Sequence, residues 1–218
     1  MDPTGHFTCK NNSTLFEGDC NKVIETYLAL LQEKGGKEGQ ALVDAFRKAD
    51  TVDYGCGRGG CIKYKDQISI TIIDSFKNEN GDDTGVMAQY QGSILGDDKY
   101  VISAGMMNAL GEEQLVAAGS FGHEIVHQTQ GWGRGGTILA ELEGYDMQWT
   151  LYKNMGIASS KNSNVQVARE IASYKYKSKE EIMDSNWAKY NYGNLPFTNI
   201  FTPKWHPSTY PHHINRRR

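Results

Sequence analysis

Apolar residues recur at helical spacing over residues 21–34, where Val23, Ile24, Tyr27, Leu28 and Leu31 share one face. Gly35 and Gly36 end that helix. A second amphipathic stretch follows over 38–49, with Leu42, Val43 and Phe46 turned inward. The period then changes to two: Ile68, Ile70 and Ile72 alternate with Ser69 and Thr71, the pattern of a half-buried strand. Val86–Gln91 and Lys99–Ser103 read as further strands, preceded by the turn-rich residues 78–85 and by Gly96-Asp97-Asp98. A long helix is expected over 108–130. Gly119 and Gly122 lie inside it, each at a cost of about 1 kcal/mol relative to alanine, and close packing against a neighbour is the expected compensation. GWGRGG, residues 131–136, is expected to form a loop, after which Thr137 is expected to cap a helix that runs to about Asn154. Two more helices are expected over 164–176 and 179–188, the second with Ser178 and Glu181 at capping-box spacing. Residues 1–20 are polar and expected to be irregular, and 21–218 read as a single domain without internal repeat or linker. The sum is an α+β fold with a small mixed or antiparallel sheet and several helices.

Composition narrows the class. A chain of 218 residues sustains one hydrophobic core. With 22% charged residues, 24 glycines and 5 prolines it is not collagen-like, coiled-coil or wholly disordered. A net charge of −3 gives no electrostatic reason to expect nucleic acid as a partner, and Arg216, Arg217 and Arg218 read as a solvated, frayed end. No apolar run approaches the roughly 18 residues of a membrane helix, so no membrane partner is expected. The start, MDPTGHFTCK, lacks the charged segment and apolar stretch of a secretory signal peptide. Residence in the cytosol, export by another route, and excision from a longer chain all stay open. Cys9 and Cys20 lie eleven apart and Cys56 and Cys61 five apart, neither being C-x-x-C. Gly55 to Cys61 is a glycine-rich loop that either a disulfide or free thiols suit, and four cysteines allow three pairings.

The chemistry concentrates in His123-Glu124-Ile125-Val126-His127. Histidines at i and i+4 of a helix sit one turn apart on one face, so both imidazoles reach the same ion. Glu124 lies about 100° round the helix from His123, off the metal but beside the water it acidifies, where a general base is needed. A surface His-Glu-His cluster is the plain alternative. The apolar flanks Leu115, Val116, Ala118, Phe121, Ile125 and Val126 argue instead for a buried active-site helix. A catalytic zinc site takes three protein ligands, and the following helix offers Glu141, Glu143 and Asp146. Ile138, Glu141, Leu142, Tyr145, Trp149 and Tyr152 share its inward face, where an unpaired carboxylate is costly. Glu141 is therefore preferred. Glu143, pointing away with Asp146 and Thr150, reads as a solvated surface acid, and Asp146 and His206 rank behind both.

Gly122-His123-Glu124-Ile125-Val126-His127 followed by Glu141-Leu142-Glu143-Gly144 resembles the gluzincin branch of zinc metallopeptidases, with its HExxH and downstream E-x-x-A pattern. The resemblance covers about residues 100–155. It implies a zincin-like fold with the sheet packed on the active-site helix, Zn2+ held by His123, His127 and Glu141, and Glu124 as the base. Gly144 stands where alanine is usual. Tyr145 stands where many members carry an aspartate, so the partner that orients the histidines is left unassigned. Asp2-Pro3-Thr4-Gly5 resembles the D-P-x-G junction that precedes the toxin domain of Rhs-type polymorphic toxins, and an ordinary turn explains it too.

The expected activity is hydrolysis of a peptide bond in a protein or peptide substrate by a bacterial effector domain. Such a domain would be secreted or delivered by a specialised system, or else act in the cytoplasm of producer or target cell, and a toxin would have a cognate immunity protein. Hydrolysis of peptidoglycan peptides and a non-catalytic metal-containing binding module are the alternatives. Tyr145, Arg134 and His206 have the chemistry of an oxyanion stabiliser. The strand over 99–103 is expected to offer an edge to an extended substrate, with Trp132, Trp149 and Tyr152 either lining the cleft or packing in the core.

Overall fold

A computed structural model describes residues 7–49, 53–57, 60–64, 68–91, 98–130, 137–192 and 196–197. In chain order the elements are β1 (Phe7–Asn11), α1 (Cys20–Lys34), α2 (Gly36–Ala49), β2 (Asp53–Gly57), β3 (Gly60–Tyr64), β4 (Ile68–Ile73), β5 (Ala88–Gln91) and β6 (Lys99–Ser103). Then follow α3 (Ala104–Met107), α4 (Glu112–Gln130), α5 (Ile138–Asn154), α6 (Ser163–Ser173), a 3-10 turn (Tyr174–Tyr176), α7 (Lys179–Asp184) and α8 (Asn186–Tyr192). The fold is α+β.

The main sheet is mixed, in the order β1-β4-β6-β5. β1, β4 and β6 run parallel and β5 is antiparallel to β6. Isoleucines 68, 70 and 72 of β4 are buried as their alternation requires, with Ser69 and Thr71 half-covered. Two sequence expectations change here. Residues 7–11 are not irregular but form β1, paired with β4 from Phe7↔Ile68 to Asn11↔Ile72. Phe7 is the one buried side chain of β1, too little pattern to read, so its pairing comes from the neighbouring ladder. Residues 99–103 do not offer an open edge, because β6 is paired on both sides. Tyr100, Val101, Ile102 and Ser103 of β6 are all buried, as suits an interior strand. The edge strand on that side is β5. Of the glycine-rich stretch, residues 55–57 and 60–61 belong to an antiparallel pair, β2 and β3, with Cys56 opposite Cys61 in register.

The helix boundaries follow local chemistry. Asp19 caps α1 by accepting from Lys22 N. The Gly35 N–H bonds to Leu31 O at its end, and Gly36, at φ +68°, turns the chain straight into α2. The long helix expected from residue 108 begins at Glu112, because Gly111 at φ +58° leaves helical geometry after the short α3. The helix expected over 179–188 is split by Ser185, whose backbone is extended, and α7 opens with the capping box of Ser178 and Glu181.

The main core joins the sheet to α1, α2 and α4 through residues such as Ile24, Leu28, Phe46, Ile70, Tyr100 and Phe121. A smaller apolar cluster, including Ile138, Leu142, Ile171, Ile182 and Trp187, gathers on α5, α6, α7 and α8. α5 thus contributes to both clusters, with Leu151 and Tyr152 in the first and Ile138 and Leu142 in the second. α4 and α5 meet closely through the two interior glycines of α4. A Cβ on Gly119 would lie 2.2 Å from Tyr152 Cε1, and one on Gly122 would lie 2.5 Å from Leu151 Cδ1. Among the described residues no helix is long and apolar enough to cross a membrane.

Candidate metal centre

The pairing of α4 with α5 assembles the polar cluster. His123, Glu124 and His127 come from the buried middle of α4. Glu141 comes from the first turn of α5, whose N-terminus Thr137 caps by accepting from Ala140 N. His123 Nε2 and His127 Nε2 lie 3.0 Å apart. Glu141 Oε2 lies 3.6 Å from His123 Nε2 and Oε1 lies 3.5 Å from His127 Nε2. All three ligand atoms fall within 4.8 Å of one another. Glu124 does not join them: its Oε2 accepts the Tyr90 backbone N–H at 2.7 Å, tying α4 to the edge strand β5.

The electrostatics follow from this convergence. Burial works against a charged His127, but the hydrogen bond and negative charge of Glu141 outweigh it and push the imidazole up to about 9. Burial likewise works against an ionised Glu141, yet His123 and His127 hold its carboxyl well below the usual carboxylate range. Burial raises Glu124, and Glu141 adds to the rise while the two histidines and the Tyr90 N–H oppose it. The half-buried Glu124 is therefore a more basic carboxylate than one in water. Two imidazole nitrogens and a carboxylate converge on one point. Their types suit a divalent ion, and His123, His127 and Glu141 are the residues that would hold it.

Two glutamines that the sequence did not single out shape the site, together with Gly144 and Tyr145. Gln148 Oε1 lies 3.0 Å from His123 Nδ1, and Gln130 Oε1 lies 2.9 Å from His127 Nδ1. These amides occupy the orienting role left unassigned at Tyr145. The available signal was a glutamine on a helix face surrounded by apolar residues, which is weak by itself. Gly144 lies against the His123 ring, where a Cβ would come within 2.5 Å of Nε2. Tyr145 packs edge-on against the same imidazole, with ring centres 4.6 Å apart, and against Trp187.

Other candidates are placed differently from expectation. Glu143 is half-buried and accepts from Gln130 Nε2 at 3.1 Å rather than standing free in solvent. Asp146 is buried and pairs with Lys175 Nζ at 2.5 Å, so it is neither a solvated acid nor in the ligand cluster. The reason is common to both: α5 is covered on two sides, so its polar face is not a solvent face. Tyr152 is fully buried and bonds to Val116 O, Gln148 and Ser120, so it belongs to the core beneath His123 rather than to a cleft. Trp149 packs at the margin of the main core. Trp132, Arg134, His206 and the D-P-x-G segment lie outside the described residues. Cys9 and Cys20 form a disulfide, one of the pairings left open by the spacing.

Comparison of the chain with protein-family models, with curated proteins and with solved structures finds no match.

Proposed function

We propose that this chain is a zinc-dependent metallopeptidase of the gluzincin type, acting as a secreted or delivered bacterial effector on a protein target. The observation that carries the reading is the convergence of His123, His127 and Glu141 from two helices, with Glu124 beside them and outside the ligand set. Zn2+, when bound by these three residues, supplies Lewis acidity to a carbonyl group and to water. Glu124 takes the proton of the attacking water and passes it to the leaving amine. Its partial desolvation raises its basicity for the first transfer. The Tyr90 N–H holds the carboxylate in place and points away from the β6 ladder. The outer edge of β5 therefore runs beside Glu124, and an extended peptide added to that edge presents its backbone to the base. The D-P-x-G segment supports the effector context, with an immunity protein as its partner.

The test is a comparison of the parent protein with Glu124→Gln. Both are expected to carry about one zinc per chain by elemental analysis, since Glu124 is not a ligand. Hydrolysis of casein is expected to fall by about 10²–10⁴-fold in the variant. A fully active Glu124→Gln protein, or full activity after chelation, refutes the reading. Activity on peptidoglycan peptides alone moves the substrate to the cell wall, and zinc without activity on either substrate marks a binding module.

A further inference from the structure

Two buried hydrogen-bond relays end on the metal-site imidazoles, and each starts from a backbone carbonyl. A carbonyl only accepts, so direction can be followed outward from it. Tyr152 Oη donates to Val116 O at 3.1 Å. The phenol oxygen therefore accepts from Gln148 Nε2 at 2.6 Å, and the same amide nitrogen also donates to Ser120 Oγ at 3.1 Å. That arrangement turns Gln148 Oε1 toward His123 Nδ1. An amide oxygen accepts, so Nδ1 of His123 carries a hydrogen, and in the neutral ring this leaves Nε2 bare. The second relay has the same logic. Gln130 Nε2 donates to Ala140 O at 2.9 Å and to the Glu143 carboxylate, both acceptors. Gln130 Oε1 then faces His127 Nδ1, which must be the N–H.

We propose that Gln148 and Gln130 are positioning residues that lock both imidazoles in the Nδ1–H form and aim two bare Nε2 atoms, with Glu141, at one cation. Naming that cation as zinc rests on the metallopeptidase reading above; the relay itself does not. Both devices are amides, which orient an imidazole without adding negative charge. A carboxylate in their place raises the basicity of the ligand as well as orienting it. The amides also explain why Tyr145 carries no such duty: the orienting group of His123 stands at Gln148, three residues further along α5, and that of His127 stands on α4 itself.

Two measurements test the relay. The first is the 15N spectrum of the histidine side chains in metal-free protein, in alkaline buffer that leaves imidazoles neutral. Nδ1–H tautomers are expected on both His123 and His127, and an Nε2–H tautomer on either ring overturns the proposal. The second is zinc affinity by chelator competition. Gln148→Leu and Gln130→Leu are each expected to weaken zinc binding by about 10- to 100-fold. Gln148→Glu, which restores an acceptor at Nδ1, is expected to bind zinc at least as tightly as the parent. Parent-like affinity in both leucine variants overturns the relay. If a leucine variant does not fold, the tautomers of the parent decide the question. A parent that binds no zinc yet shows Nδ1–H on both rings keeps the relay and removes the metallopeptidase reading.

Discussion

Gly144 has no side chain to react, yet it controls how closely α5 approaches the His123 imidazole. A Cβ there would stand 2.5 Å from Nε2 and 2.7 Å from Cε1. The ring has little freedom to retreat, because Gln148 holds its other side. Gly144→Ala is therefore expected to displace the ligand nitrogen, weakening zinc binding by about tenfold or more and costing about 1–3 kcal/mol of stability. Chelator competition and urea denaturation check the two effects separately. An alanine variant with parent-like zinc affinity contradicts the role given to this contact. At this scale the residues that gather at the junction of α4 and α5 were legible and their supports were not. His123, Glu124 and His127 reveal themselves by a spacing of one helical turn, and Glu141 by being an acid among apolar neighbours. Gln148 and Gln130 carry no charge and show their role only through partners on the facing helix.

The helices explain the misread acids. Periodicity along 138–154 predicts one buried stripe, but α5 lies against α4 on one side and α6 on the other and contributes to two apolar clusters. A helix between two layers has two buried stripes, so Asp146, expected on the face of Glu143, is enclosed. Its side chain is 4% exposed, against 23% for that of its partner Lys175. Lys175→Met is expected to leave an unpaired buried carboxylate and to cost about 3–5 kcal/mol, read as a lower urea midpoint. Zinc stoichiometry is expected to be unchanged, because Asp146 lies outside the ligand cluster. A midpoint equal to the parent's shows that the pair contributes nothing. The interior glycines of α4 were read correctly, since a residue that weakens a helix needs a packing reason, and Tyr152 and Leu151 supply it.

Across the whole molecule, the N-terminal strand is joined to the domain in two ways. β1 adds to the sheet edge beside β4, and Cys9 is bonded to Cys20 at the first residue of α1. The cross-link closes a short loop in the unfolded chain. Replacing both cysteines with serine is expected to cost about 2–4 kcal/mol, measurable as a lower denaturation midpoint that reducing agent reproduces in the parent. Equal midpoints with and without reductant would show that the bridge does not support the fold. What was local in this chain needed no structure to be read. The α1 and α5 helices, strand β4, the capping box of α7 and the paired histidines all rest on spacings of a few residues, where backbone geometry dictates which side chains share a face. What was distant needed the assembled fold. Parallel pairing of β1 with β4, the interior place of β6, the double burial of α5 and the two amide relays each join residues whose separation along the chain says nothing about their proximity. Their partners are selected by packing, and packing is a property of all the elements at once.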